Sequence, residues 1–141
     1  QQSSTGATAS YDQVVARVNP AVVTVQSTQD GTTEAASIGS GIIYDDQGHI
    51  VTYNHVIAGA DTLQVIFSDG RHVPASLVGA DPYQDVAVIK VDPAVPAIAT
   101  FGDSSQLQPG QRVIAIGSAL GEFQVRRTAA SIPARATGSK T

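Results

Sequence analysis

Apolar and polar positions along this chain change over in short runs, and turn residues separate the runs. The segments "AVVTVQS", "IGSGIIYD", "HIVTY", "TLQVIFS", "RHVPASLVGAD", "VAVIKV" and "QRVIAIGSA" are rich in Val, Ile and Thr, with Gly, Pro, Asn, Asp or Ser between them. That pattern predicts six or seven short strands in a small antiparallel barrel or sandwich. The glycines of "IGSGIIYD" predict a bend or bulge, Asp69-Gly70 a tight hairpin, and Pro74 an edge or bulge within its strand. "VAVIKV" is apolar almost throughout, which predicts a strand buried on both faces. Helix is scarce. Val14, Val15 and Val18 recur at helical spacing with Asp12 as the expected cap, and Asn19-Pro20 should end that helix. "NHVIAGAD" reads as a single helical turn. Residues 125–141 show no clear period, and no packed role follows from them.

Composition narrows the class. With 141 residues, 42% hydrophobic and 14% charged, the chain is expected to fold as one globular domain. Its net charge of −4 argues against nucleic acid as a partner, because phosphate contacts need a basic patch. No apolar run approaches the roughly 20 residues that span a bilayer, so no transmembrane segment is expected. There is no Cys and no Met. Disulfides and thiolate metal sites are therefore excluded, and the chain reads as a processed form, an excised piece or an expression product. The opening "QQSSTGATAS", residues 1–10, reads as a polar leader or linker, of the kind that follows a removed export signal or anchor.

Three histidines are available: His49, His55 and His72. Their spacings match no strand or helix ligand pattern, so no metal site is expected. His49 and His72 fall in or beside hairpin strands and are expected on the solvent side. His55 lies where a strand ends and a tight polar segment begins, a place from which a scaffold can present a general base. On that stretch alone, a structural histidine at a loop entrance is an equal reading. Asp85 precedes the most apolar strand and should be partly buried. A buried carboxylate needs a partner, and a histidine N–H is one. Asp81 competes for that role, but its place before Pro82 suits a turn cap better.

Residues 101–106, "FGDSSQ", look like the nucleophile loop of a serine protease, since Gly102-Asp103-Ser104 matches the first three residues of Gly-Asp-Ser-Gly-Gly. Ser105 then stands where a glycine is needed. Those glycines let backbone N–H groups approach closely enough to form an oxyanion hole. Ser37, Ser40, Ser68, Ser76 and Ser118 lack that setting as well.

Taken in order, "GSGIIYDDQGHIVTYNHVIAGAD", "DGR", "GADPYQDVAVIKV" and "FGDSSQLQPGQRVIAIGSALGE" resemble the trypsin-like protease domain of the HtrA (DegP/DegS-like) family. The resemblance covers residues 11–124. It implies an all-β fold: a six-stranded antiparallel barrel, the first barrel of a chymotrypsin/trypsin-like fold, with the second barrel largely absent. It implies that His55 and Asp85 are catalytic, and that Gly102-Asp103-Ser104 forms a turn before the last strand of the first barrel. Ser104 is then a decoy, the family's nucleophile lying in a downstream Gly-Asn-Ser-Gly-Gly. The implied function is part of a cofactor-independent serine endopeptidase, located outside the cytoplasm, that hydrolyses unfolded or misfolded polypeptides. A homotrimer is implied too, with Tyr11 and Phe123 the aromatics to place at its contact. Residues 125–141 depart from the family pattern where the second barrel would begin. Having a base but no nucleophile, the chain as a whole is expected to be inactive alone. The alternative is a complete, non-catalytic binding module that pairs with another chain or a peptide.

Overall fold

The computed structural model describes residues 10–31, 34–92, 95–118 and 125–131. Its first element is helix α1 (Tyr11–Val18), capped by Ser10, whose side chain accepts from the Gln13 N–H. Asp12, expected as the cap, sits in the first turn instead, where its charge suits the positive helix end. A 3-10 turn, Asn19–Ala21, carries Pro20 and leads into β1 (Val22–Thr28). Then follow β2 (Ser37–Ile43), β3 (His49–Thr52), the single turn α2 (Asn54–Ile57), β4 (Thr62–Ile66), β5 (His72–Asp81) and β6 (Val86–Lys90). A second 3-10 turn, Ser104–Gln106, precedes β7 (Arg112–Ser118) and β8 (Val125–Ser131).

Strands β1 to β6 form a closed antiparallel barrel in the order β1-β2-β3-β6-β5-β4. Closure rests on β1, which pairs Val25 with Gly39 of β2 on one side and with Val65 of β4 on the other. Because the barrel is closed, each strand has one face inside. Val23, Val25, Ile43, Ile50, Val65 and Ile89 are almost wholly buried there, each contributing roughly 1.5–3 kcal/mol of transfer free energy. "VAVIKV" follows the same rule. Ala87, Ile89 and Val91 enter the core, but Val86 is exposed and Val88 only half-buried. The strand is buried on one face, not both.

The glycines of β2 produce no bulge, since its pairing with β1 runs in unbroken register. They face inward where no side chain fits. A Cβ on Gly41 would lie 2.8 Å from Ile50 Cγ2 and 2.9 Å from Val25 Cγ2. One on Gly39 would lie 2.5 Å from Val56 Cγ2 of α2. The bulge falls in β5 at Leu77/Gly79, and Pro74 lies in the stretch that has β4 as its paired neighbour before β6 joins at Ser76. Its missing N–H therefore costs no second ladder.

Strand β7, expected as the last strand of the barrel, lies outside it. It pairs with β8 along its whole length, from Arg112↔Ser131 to Ser118↔Val125, as a separate two-stranded sheet. So part of the segment without a readable period is a strand. Hydroxyls clip this ribbon to the barrel. Ser40 Oγ accepts from the Ser118 N–H at 2.7 Å and donates to the Ser118 carbonyl at 3.2 Å, while Thr24 and Ser118 share a side-chain bond. Residues 1–9, Phe123 and residues 132–141 lie outside the described residues, as do the readings made of them.

Two results should follow. In urea titrations, Gly41→Ala should cost about 1–3 kcal/mol by overpacking. Gly48→Ala should cost more, because its Cβ would meet a backbone oxygen, Val91 O, at 2.2 Å, with φ at +92°. Gly79→Ala, with open space around it, should stay within about 0.5 kcal/mol. Ser40→Ala should speed hydrogen exchange of the Ser118 amide by about fivefold, the worth of one ordinary hydrogen bond, and leave the Val25 amide unchanged.

Candidate active site

The register of β3 on β6 assembles the site. Thr52 pairs with Ala87, so the residues leaving β3 and those entering β6 emerge at the same barrel end. Beyond Thr52 the chain turns into α2, whose start leaves backbone N–H groups without partners inside the helix. Tyr53 at the cap makes no side-chain bond to them. Asp85, thirty residues on in sequence, does so instead: its Oδ1 accepts the His55 backbone N–H at 2.8 Å, and its Oδ2 lies 2.7 Å from His55 Nδ1. One carboxylate thus grips both the backbone and the ring of His55.

An ionised carboxylate only accepts, so Nδ1 carries the proton and Nε2 is left with its lone pair. The His55 side chain is 65% exposed and that of Asp85 43%. Asp85 is held at φ +57°, a left-handed conformation that Asp tolerates better than most residues. The turn leading to it is capped by Asp81, whose Oδ1 accepts from Tyr83 N at 3.0 Å and Gln84 N at 3.4 Å. Asp81 is therefore the turn cap its place before Pro82 suggested. The bonds from the His55 ring and then its backbone N–H hold the Asp85 carboxyl below its ordinary value of 3.8.

Beside the pair runs a groove of about 430 Å³, lined by Val22, Ile42, Val51, Tyr53, Val86 and Ile116 among others. A larger cavity of about 510 Å³ lies between α1 and Ile114 of β7, and none of the residues around His55 line it. Tyr11 borders that cavity, and its hydroxyl accepts from Arg112 at 3.2 Å.

A second histidine–carboxylate pair has the same local form. His49 Nδ1 lies 2.7 Å from Asp45 Oδ2, and the His49 N–H donates to Asp45 Oδ1 at 3.0 Å. Burial pushes the Asp45 carboxyl up, but the bonds from His49 and Gln47 outweigh it and hold it low. Here the histidine side chain is only 22% exposed, and Tyr44 stacks on it beside Phe101. His49 lies on the outer face of β3, as expected, but is largely covered there, tucked into its turn. His72 is exposed, with Nδ1 3.1 Å from Gln64 Oε1. Asp45 was missed as a partner because a carboxylate in a turn, four residues before a histidine, has no pattern of its own.

Ser104 lies in the 3-10 turn capped by Asp103, which accepts from the Ser105 hydroxyl at 2.6 Å and the Ser105 N–H at 3.0 Å. Asp103 is thus engaged locally, and among the described residues no serine is hydrogen-bonded to the His55 ring. Nor do the described residues include a cluster of three or more potential metal ligands.

A trypsin-like peptidase domain profile matches residues 39–139. The chain is 46% identical over 99 residues to a serine protease Do-like HtrA of Lactobacillus helveticus, a match covering 67% of this chain and 24% of the relative. It is 48% identical over 93 residues to a probable periplasmic serine endoprotease DegP-like protein of Halomonas elongata, covering 66% and 20%. Among solved structures, the HtrA-type protease AlgW with tripeptide superposes with a TM-score of 0.78 at 38% identity, over 93% of this chain and 42% of that one. The serine endoprotease from Yersinia pestis does so with a TM-score of 0.72 at 35% identity, over 89% and 44%. The chain therefore spans about a quarter or less of the curated relatives and under half of the solved chains.

The bond that places Asp85 also sets how it titrates. A carboxyl held low in the folded state contributes stability that is present above its unfolded value and lost as pH falls through its folded value. In carbon-detected NMR titrations the Asp85 carboxyl should have its inflection below 3.8, and His55→Ala should move it upward. An inflection unmoved by His55→Ala would mean the pair does not form in solution.

Proposed function

The chain belongs to the trypsin-like peptidase domain family, and on that premise we propose that it is the base-bearing barrel of an HtrA-like serine endopeptidase. The observation that carries this reading is the double grip of Asp85 on His55, made on a histidine whose ring is largely open to solvent. His55 Nε2 takes the proton of an attacking serine as general base and returns it to the leaving amine. Asp85 holds the Nδ1–H tautomer and stabilises the imidazolium formed in between. The substrates are exposed segments of unfolded or misfolded proteins, and the enzyme works outside the cytoplasm. The periplasmic naming of several relatives supports that location.

No Ser-Gly-Gly occurs among these 141 residues. By themselves they hold a base and its orienting acid without a nucleophile, so they are inactive alone. The serine, the oxyanion hole and the pocket for the substrate side chain come from a second barrel. The apolar groove beside the pair favours a second reading, a silent module that pairs with another chain, and the same experiment separates the two.

The purified chain incubated with unfolded casein should cleave no more than its His55→Ala variant. Fused to a second barrel carrying Gly-Asn-Ser-Gly-Gly, it should cleave casein, with Asp85→Asn lowering the rate by about 10⁴-fold and His55→Ala abolishing it. An inactive fusion that folds would favour the silent module. Cleavage by the unfused chain that vanishes in His55→Ala would make a serine of this chain the nucleophile, Ser104 first.

A further inference from the structure

We propose that Tyr53 is a positioning residue for His55, its ring face holding the imidazole in place and supporting it as it becomes charged. The proposal rests on the reading of His55 as the general base. Tyr53 stacks on His55 with ring centroids 5.3 Å apart and planes 21° from parallel, within the range of favourable aromatic contacts. The stack covers one face of a ring already tied at its Nδ1 edge by Asp85. Nε2, where a proton must be taken up, has no hydrogen-bond partner among the described residues.

Neither helix formation nor core packing explains a tyrosine here. The N-cap of α2 favours Ser, Thr, Asp or Asn, and Tyr53 makes no capping bond. Tyr53 is 56% exposed, so it adds little to the core. A 65% exposed histidine held by one ring hydrogen bond keeps freedom to swing about its Cβ–Cγ bond, and a stacked ring takes that freedom away. The π face also attracts the imidazolium that proton transfer creates.

The second pair supplies an internal reference. His49 has the same Asp grip and its own stacked tyrosine, Tyr44, at the opposite end of β3. Nothing done at Tyr53 should reach it.

The test is the exchange with water of the ring Nδ1–H protons of His55 and His49, followed by NMR in the isotope-labelled chain. Tyr53→Ala and Tyr53→Leu should both speed exchange at His55 by about two- to twelvefold, the factor an aromatic stack is worth. His49 should not change, and Tyr53→Phe should match the parent. An unchanged His55 rate in Tyr53→Ala overturns the proposal. So does a Tyr53→Leu variant that behaves like the parent, because bulk alone would then suffice. Asp85→Asn separates this from the reading beneath it. If the slow His55 signal is lost there yet unmoved in Tyr53→Ala, only the role of Tyr53 fails. If Asp85→Asn leaves the signal intact, the His55–Asp85 pair fails and the role of Tyr53 with it.

Discussion

Barrel closure is the constraint on which the rest of the molecule depends. β1 must pair with β2 and β4 at once, and a ring of six strands leaves an interior narrow enough for Val and Ile to fill. Where even those do not fit, the chain has glycine. Gly39 leaves the space that Val56 of α2 occupies, and Val56 is the next residue after His55. The position of the proposed base is therefore set by core packing one residue away. The β3–β6 register sets that of Asp85 in the same way, by bringing out Tyr53 and Val86 at a common end.

The chain contains the same histidine–carboxylate grip twice, once on a largely exposed histidine and once on a mostly covered one. At Asp45–His49 it closes a turn and leaves the ring mostly covered. At Asp85–His55 it ties α2 to the turn before β6 and leaves the ring open, next to the groove-lining residues Tyr53 and Val86. Exposure and position, more than hydrogen-bond length, set the two pairs apart. Both bonds measure 2.7 Å.

The β7–β8 ribbon shows how a strand can be legible while its partner is not. "QRVIAIGSA" has the composition of a strand, and it is one. Its partner at 125–131 carries Arg, Thr, Ala and Ser in no regular order, and the backbone ladder with β7 forms regardless. Backbone pairing needs N–H and C=O groups, which every residue but proline supplies, so a strand joined to one neighbour can lack the alternation that burial imposes.

Local chemistry was readable from the sequence: where strands start and stop, the hairpin at Asp69-Gly70, the single turn at Asn54, and Asp81 as a turn cap. Each depends on residues within a few positions of one another. The family pattern likewise reached His55 and Asp85 as a pair and identified the Ser104 stretch as a turn. Tertiary structure decided the rest. It showed that β7 stands outside the barrel, that β2 uses its glycines for space and not for bending, and that only one face of "VAVIKV" is buried. It also brought Asp45 to His49 and laid Tyr53 on His55. These outcomes turn on which face of a strand meets which neighbour across the closed sheet, and pairing, not local sequence, sets that.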